Sequence, residues 1–159
     1  VTFTISGSDL SITSSGVITF DSEPDYESTN SYSETVTASD GTNSSTQEIT
    51  ISVNNLNDNS PSITSSASYS ADENQTSVGT VTATDADGDG VTFTISGTDA
   101  SDLSINSSGV ITFNSAPDYE TKTSYSITVN VSDGTNNISQ PLTINIKDFN
   151  EIWTTSVTT

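Results

Sequence analysis

The chain repeats itself, and that repeat limits its fold more than any other feature. Val1-Thr-Phe-Thr-Ile-Ser-Gly7 returns as Val91-Thr-Phe-Thr-Ile-Ser-Gly97, and Asp9-Leu-Ser-Ile as Asp102-Leu-Ser-Ile. Ser15-Gly-Val-Ile-Thr-Phe20 returns as Ser108 to Phe113, Pro24-Asp-Tyr-Glu27 as Pro117 to Glu120, and Ser39-Asp-Gly-Thr-Asn43 as Ser132 to Asn136. The spacing is 90 residues at Val1/Val91 and 93 from Asp9/Asp102 onward, so three residues are inserted near Thr98 to Ser101. Such a match is tandem duplication, and it commits the chain to copies of one supersecondary unit. Residues 60–150 make a complete unit. Residues 1–59 make a partial one that lacks the counterpart of Pro61 to Gly90, roughly two strands. Residues 151–159 are expected to begin the next unit's first strand, or else to add to a neighbour's sheet edge. The chain opens mid-strand on Val1-Thr-Phe-Thr-Ile5 and is read as an excerpt of a longer protein.

Within each unit the apolar residues alternate with Thr and Ser, the pattern of a half-buried strand. In the first unit the spacing predicts strands at Val1 to Ser6, Asp9 to Ile12, Gly16 to Phe20, Tyr32 to Ala38 and Glu48 to Val53. The second repeats them at Val91–Ser96, Asp102–Ile105, Gly109–Phe113, Tyr125–Ser132 and Leu142–Ile146. Before these it adds Ser62–Ser65, a piece near Tyr69, and Ser77–Ala83. Gly16 and Gly109 are placed to supply the positive-φ position of a hairpin turn. No helical period is visible. The expected fold is all-β: tandem, seven-stranded, antiparallel Greek-key sandwiches, the first truncated at its N-terminus. Phe3, Ile5, Ile12, Val17, Ile18, Phe20, Val36, Ile49, Ile51 and Val53 are the core candidates of unit one. Only 30% of the chain is hydrophobic, so the core is thin and a joint between units needs help beyond apolar burial.

Charge excludes several functions. There are 21 acidic residues against two Lys, no His, no Cys, and a formal net charge of −19. Nothing is available to neutralise phosphates, which argues against nucleic acid or anionic lipid as a partner. No apolar run in this segment is long enough for membrane insertion, and the segment is not expected to carry an export address of its own. Without Cys there is no disulfide or thiolate site. Without His or Cys no Ser-His-Asp or Cys-His unit can exist, and the chain is read as a non-enzyme. A carboxylate pair for glycoside hydrolysis is conceivable, but the acids fall in turns.

Those turns are Asp72-Glu73-Asn74, Asp85-Ala-Asp87-Gly-Asp89, Asp25-Tyr-Glu27 with Asp118-Tyr-Glu120, and Ser39-Asp-Gly41 with Ser132-Asp-Gly134. Between the units lies Asn55-Leu-Asn-Asp-Asn-Ser-Pro61. Carboxylate, amide and carbonyl oxygens are the donors Ca²⁺ takes, six to eight at a time. Carboxylates held within ~4 Å without a cation repel by roughly 1 to 4 kcal/mol per pair. An EF-hand is excluded, because a strand follows Gly90 and position twelve is Ser96 instead of Glu. Asp72 and Asp89 read as solvated turn charges, and Asp9, Asp21, Glu34, Glu48 and Asp99 as surface.

Taken together these motifs resemble the cadherin repeat, in particular bacterial cadherin-like modules, over essentially the whole chain. The family's first-strand Glu looks like Glu73, its Asp-x-Asp like Asp85 and Asp87, and its acidic triplet like Asp25-Tyr-Glu27 and Asp118-Tyr-Glu120. Its Asp-Gly turn looks like Asp40 and Asp133, and its linker like Asn55 to Pro61. The resemblance implies Ca²⁺ between consecutive repeats, held by Asp25, Glu27, Asn57, Asp58, Asp85, Asp87, Asp133 and the carbonyls of Leu56 and Asn59. Asn55 stands where the family has Asp, which removes one charge. A second, distal cluster would use Glu73, Asp118, Glu120, Asp148, Asn150 and Glu151, with weaker occupancy because its linker departs from the pattern. The implied function is a calcium-rigidified structural or adhesive module of a bacterial extracellular or cell-surface protein. Its partners would be neighbouring repeats of the same protein, with homo-oligomers or filaments by strand addition. The alternative is a carbohydrate-binding accessory module of a secreted enzyme. That reading needs an exposed aromatic platform, for which Tyr26, Tyr119 and Trp153 are the candidates, and polysaccharide as partner.

Overall fold

The computed structural model describes residues 1–150. The chain divides into two compact units, Val1–Leu56 and Asn57–Thr159. The linker residues Asn57 to Asn59 go with the second unit, because Asn57 donates to the Asp133 carbonyl, Asn59 N–H donates to Asp87, and the Asn59 carbonyl accepts from Asn136. The all-β expectation holds, with each unit built from sheets of a β-sandwich.

The first unit has a sheet in the order β1 (Thr2–Ile5), β4 (Ser31–Ser39), β5 (Ser44–Ser52), and a separate hairpin β2 (Leu10–Ile12) with β3 (Ile18–Phe20). All its pairings are antiparallel. The second unit carries β6 (Ser62–Ile63), β7 (Ser68–Asp72), β8 (Ser77–Thr80), β9 (Ala83–Thr84), β10 (Thr92–Ser96), β11 (Leu103–Ile105), β12 (Val110–Phe113), β13 (Ser124–Ser132) and β14 (Asn137–Lys147). One sheet runs β10-β13-β14-β7, the other β11-β12-β8, and β6 pairs with β9. Side chains of both sheets meet in one core, with Ile111, Val131 and Ile144 wholly buried.

Four expectations about the strands change. The β7–β14 pairing is parallel, Thr143↔Ser68 through Lys147↔Asp72, because the opening strand leaves β9 and crosses to the closing strand. The segment Ser77 to Ala83 breaks in two, one half pairing with β12 and the other with β6. The last strand reaches back to Asn137, past Pro141, which lies before the stretch that β7 covers. A proline is tolerated at such an edge position. Finally, a single 3₁₀ turn, Ala100–Asp102, occupies the region of the three-residue insertion.

Gly16 and Gly109 adopt φ of 84° and 76°, as the hairpin turns require. Of the first unit's core candidates, Val17 is 55% exposed, since it lies in the turn before β3 begins. The others are only partly buried. Leu10, not among those candidates, is that unit's fully buried apolar side chain at 3% exposure.

Candidate metal centres

The Asp85–Asp89 turn follows β9 and is shaped by its own first carboxylate. Asp85 Oδ1 accepts hydrogen bonds from the backbone N–H groups of Asp87 (3.0 Å) and Asp89 (3.4 Å). Gly88, at φ 81°, lets the chain reverse. The result gathers three acids: Asp85, Asp87 and Asp89 each bring a carboxylate oxygen within 4.8 Å of the others. Asp89, expected to be a solvated turn charge, is part of this group. Asp85 Oδ2 is buried and has no hydrogen-bond partner. A buried acceptor left in that state costs about 1–3 kcal/mol, more when charged.

The linker packs onto this turn. Asn59 donates its backbone N–H to Asp87 Oδ2 (2.9 Å) and its amide to Asp87 Oδ1 (2.8 Å) and Asp58 Oδ1 (3.0 Å). Asn136, which the motif reading missed, gathers the rest. Its amide donates to Asn57 Oδ1 (3.1 Å), the Asn59 carbonyl (2.9 Å) and Asp133 Oδ2 (3.2 Å). The signal was in the sequence, as the fifth residue of the Ser-Asp-Gly-Thr-Asn stretch that occurs in both units. Asp133 Oδ1 is committed to its own turn, accepting from Thr135 N and Asn136 N. Burial, the largest influence, pushes its pKa up, but those N–H groups and the Asn136 and Asn57 amides hold it below the usual aspartate value. Asp133 is thus close to Asn57 and Asn136 but is not one of the three clustered acids.

In the first unit, Asp25 accepts from the N–H groups of Glu27 (3.1 Å) and Ser28 (3.3 Å) and from the Ser28 hydroxyl (2.7 Å). The Ser28 hydroxyl is the main reason its pKa is lowered. Asp118 repeats the arrangement with Glu120 N (3.0 Å) and Thr121 Oγ1 (2.8 Å), and its pKa is lowered chiefly by Thr121. The duplicated motif therefore folds into the same turn twice.

A second acidic group in the second unit joins Glu73, Glu120 and Asp148. Glu73 is buried at 3% exposure, and accepts from Tyr119 N (2.9 Å) and Phe149 N (2.6 Å). Glu120 shows the cost of this crowding. Its own backbone N–H lowers its pKa, yet burial with the Glu73 and Asp148 charges leaves it raised. Asn150 is exposed; Glu151 and Trp153 lie outside the described residues, as does the tail at 152–159.

One acid expected at the surface is buried, and a second is partly covered. Asp99 is 9% exposed and pairs with Lys122 at 2.5 Å, because the insertion turns it inward. Glu34 is half-buried and accepts from Ser6 Oγ at 2.6 Å, at the position where the second unit has Ile127. Lys147 meets Asp72 at 3.9 Å, beside the Glu73 group, so each lysine has an acid partner that is not itself a member of a cluster. The clusters offer oxygen donors alone, in a chain with no His or Cys, which is the chemistry of a hard cation such as Ca²⁺. Among the described residues no helix is long and apolar enough to cross a membrane.

No curated protein sequence matches the chain. Solved structures do. The structure described as protocadherin Gamma B2 extracellular cadherin domains 3-6 superposes with TM-score 0.82 at 25% identity, over 92% of this chain and 41% of that one. The protocadherin gammaB7 EC3-6 cis-dimer structure gives 0.77 at 28% identity, over 91% of this chain and 39% of that one. Mouse cadherin-23 EC22-24 gives 0.80 at 21% identity, covering 93% and 53%, a likeness of fold. The chain thus spans about half or less of the length of these structures. A family model described as cadherin domain matches residues 66–147, more than half of the chain, and the chain belongs to that family.

Proposed function

We propose that this chain is a calcium-binding repeat module of an extracellular or cell-surface protein, in which the ion stiffens the joint between successive repeats. One observation carries the reading: the buried, unpartnered Asp85 Oδ2 within the Asp85–Asp87–Asp89 group. Like-charged oxygens held this close favour the fold only when a cation reverses the sign of their interaction. Asp85, Asp87 and Asp89 would hold Ca²⁺, with Asp58, Asn57 and Asp133 as neighbouring donors. Asp25, Glu27 and the carbonyls of Leu56 and Asn59 are proposed from the sequence resemblance to complete the joint. Glu73, Glu120 and Asp148 would hold a second, weaker ion, with Asp118 shaping that loop. Such a module would work structurally or adhesively through neighbouring repeats or further copies of its own chain. The description of one matching structure as a cis-dimer agrees with that.

Thermal melts with and without ~1 mM Ca²⁺, the range of extracellular sites, test this reading. A site with Kd ~0.1 mM adds about 1.4 kcal/mol at that concentration, several degrees in Tm for a domain of this size. The expected outcome is such a rise in the wild type and its loss in Asp87→Ala. An unchanged Tm, or a full rise in the variant, would remove the proposal.

A further inference from the structure

The second unit contains a cavity of about 360 Å³ between the 3₁₀ turn and the loop before β13. Its wall includes Asp102, Asn114, Ala116, Pro117, Thr121 and Tyr125. The size falls within the ~300–1,000 Å³ range of small-molecule sites. The first unit has the corresponding hollow, lined by Asp9, Asp21, Glu23 and Tyr32 at the equivalent repeat positions. That one measures about 70 Å³, room for roughly two waters at ~30 Å³ each. Several sequence differences accompany the enlargement: Ala116 stands where the first unit has Glu23, Asn114 where it has Asp21, Thr121 where it has Ser28, and three residues are inserted near Thr98 to Ser101.

The wall is held rigidly. Asn114 donates its amide to the carbonyls of Ser101 (2.9 Å) and Leu103 (3.3 Å) and accepts from Ser104 Oγ (2.6 Å). The Tyr125 ring is wedged edge-on against Phe113, centroids 4.8 Å apart, with Lys122 Nζ 4.2 Å from its own centroid. Lys122 in turn is neutralised by Asp99.

No unpaired cation faces the cavity, so phosphates, sulfates and uronates are disfavoured. Asp102 presents an exposed carboxylate, a strong acceptor for hydroxyl donors. Ala116 is exposed beside it, while Pro117 and the Tyr125 ring are buried behind and close that side of the hollow. We infer that this cavity binds one ring of a neutral saccharide, its hydroxyls donating to Asp102 and its C–H face lying on the Ala116–Pro117 side. This places a sugar site away from Tyr26 and Tyr119, two of the three expected platforms, the third, Trp153, lying outside the described residues; Tyr119 packs against the core.

The test is an NMR titration of the whole chain, at fixed Ca²⁺, with a panel of neutral gluco-, manno- and galacto-oligosaccharides. A uronate oligomer and spermidine are run alongside. One or more neutral sugars should shift the resonances of Asp102, Ala116 and Tyr125 saturably, with Kd of about 1 mM or tighter. Ala116→Glu, which installs the residue the first unit carries at this position, should weaken binding at least about tenfold with an unchanged folded spectrum. Asp102→Asn should weaken it too. The inference is overturned by silence across the neutral panel up to about 10 mM, by binding that survives Ala116→Glu, or by a response confined to the uronate or to spermidine. None of these outcomes depends on the melts that test the calcium reading.

Discussion

Asp99 anchors an ion pair in the second unit that no motif of the sequence marks. Its carboxylate accepts from Lys122 and from Ser126 N at 2.7 Å, and these hold its pKa below the usual aspartate value, Lys122 foremost. The same bond raises Lys122 above the ordinary lysine range. A lowered aspartate stabilises the fold fully above its unfolded pKa of about 3.9 and loses that contribution as pH falls through the folded value. The raised lysine contributes below about 10.4 and is lost at higher pH. The pair therefore supports the unit across the neutral range. Asp99→Asn is expected to cost about 1–2 kcal/mol at pH 7, toward the low side for charged hydrogen bonds because the Lys122 side chain is 38% exposed. Denaturant melts from pH 7 down to pH 3 should show the gap to wild type closing below about pH 4; a gap constant with pH would mean the loss is steric.

At the scale of the strand, the same sequence behaves differently in the two units. Ile144 on β14 is wholly buried, whereas Ile51, its repeat counterpart on β5, is only partly so. The difference lies next door. The second unit lays β7 along β14, with Ala71 at 3% exposure opposite Ile146, and β8 along β12. Among the described residues of the first unit, neither β5 nor β3 has such a neighbour. Ile144→Ala should then cost about 3–4 kcal/mol, in the range of buried Ile truncations, and Ile51→Ala less than half of that. Urea titrations of both variants would check the ratio, and equal costs would contradict the burial difference.

At the scale of the molecule, the two units carry unequal cores. The second buries a contiguous set of twelve apolar side chains, counted among the described residues, while the first fully buries Leu10. Stability at this size is a small difference between large terms, so such an imbalance separates melting temperatures. Calorimetry without divalent ions should resolve two transitions, the lower belonging to the first unit. Leu10→Ala should move the lower one alone, and a single transition that shifts as a whole would refute this picture.

The sequence by itself determined the duplication, the all-β class and the oxygen-rich character of the candidate sites, because period-two alternation and turn chemistry are local properties of the chain. It also placed the positive-φ glycines and the carboxylates that fold onto their own turns at Asp25 and Asp118. Only the tertiary structure decided the rest. That Asn136 gathers Asn57 and Asn59 beside Asp133, and that Asp99 turns inward to Lys122, depend on contacts between residues far apart in the chain, whereas the grouping of Asp85, Asp87 and Asp89 is made within one local turn. The parallel seam of β7 on β14, and the Ala116 cavity against its closed counterpart at Glu23, likewise arise from packing. Local patterns set which way each side chain points along its strand, but what stands opposite it is fixed only when the sheets close around a shared core.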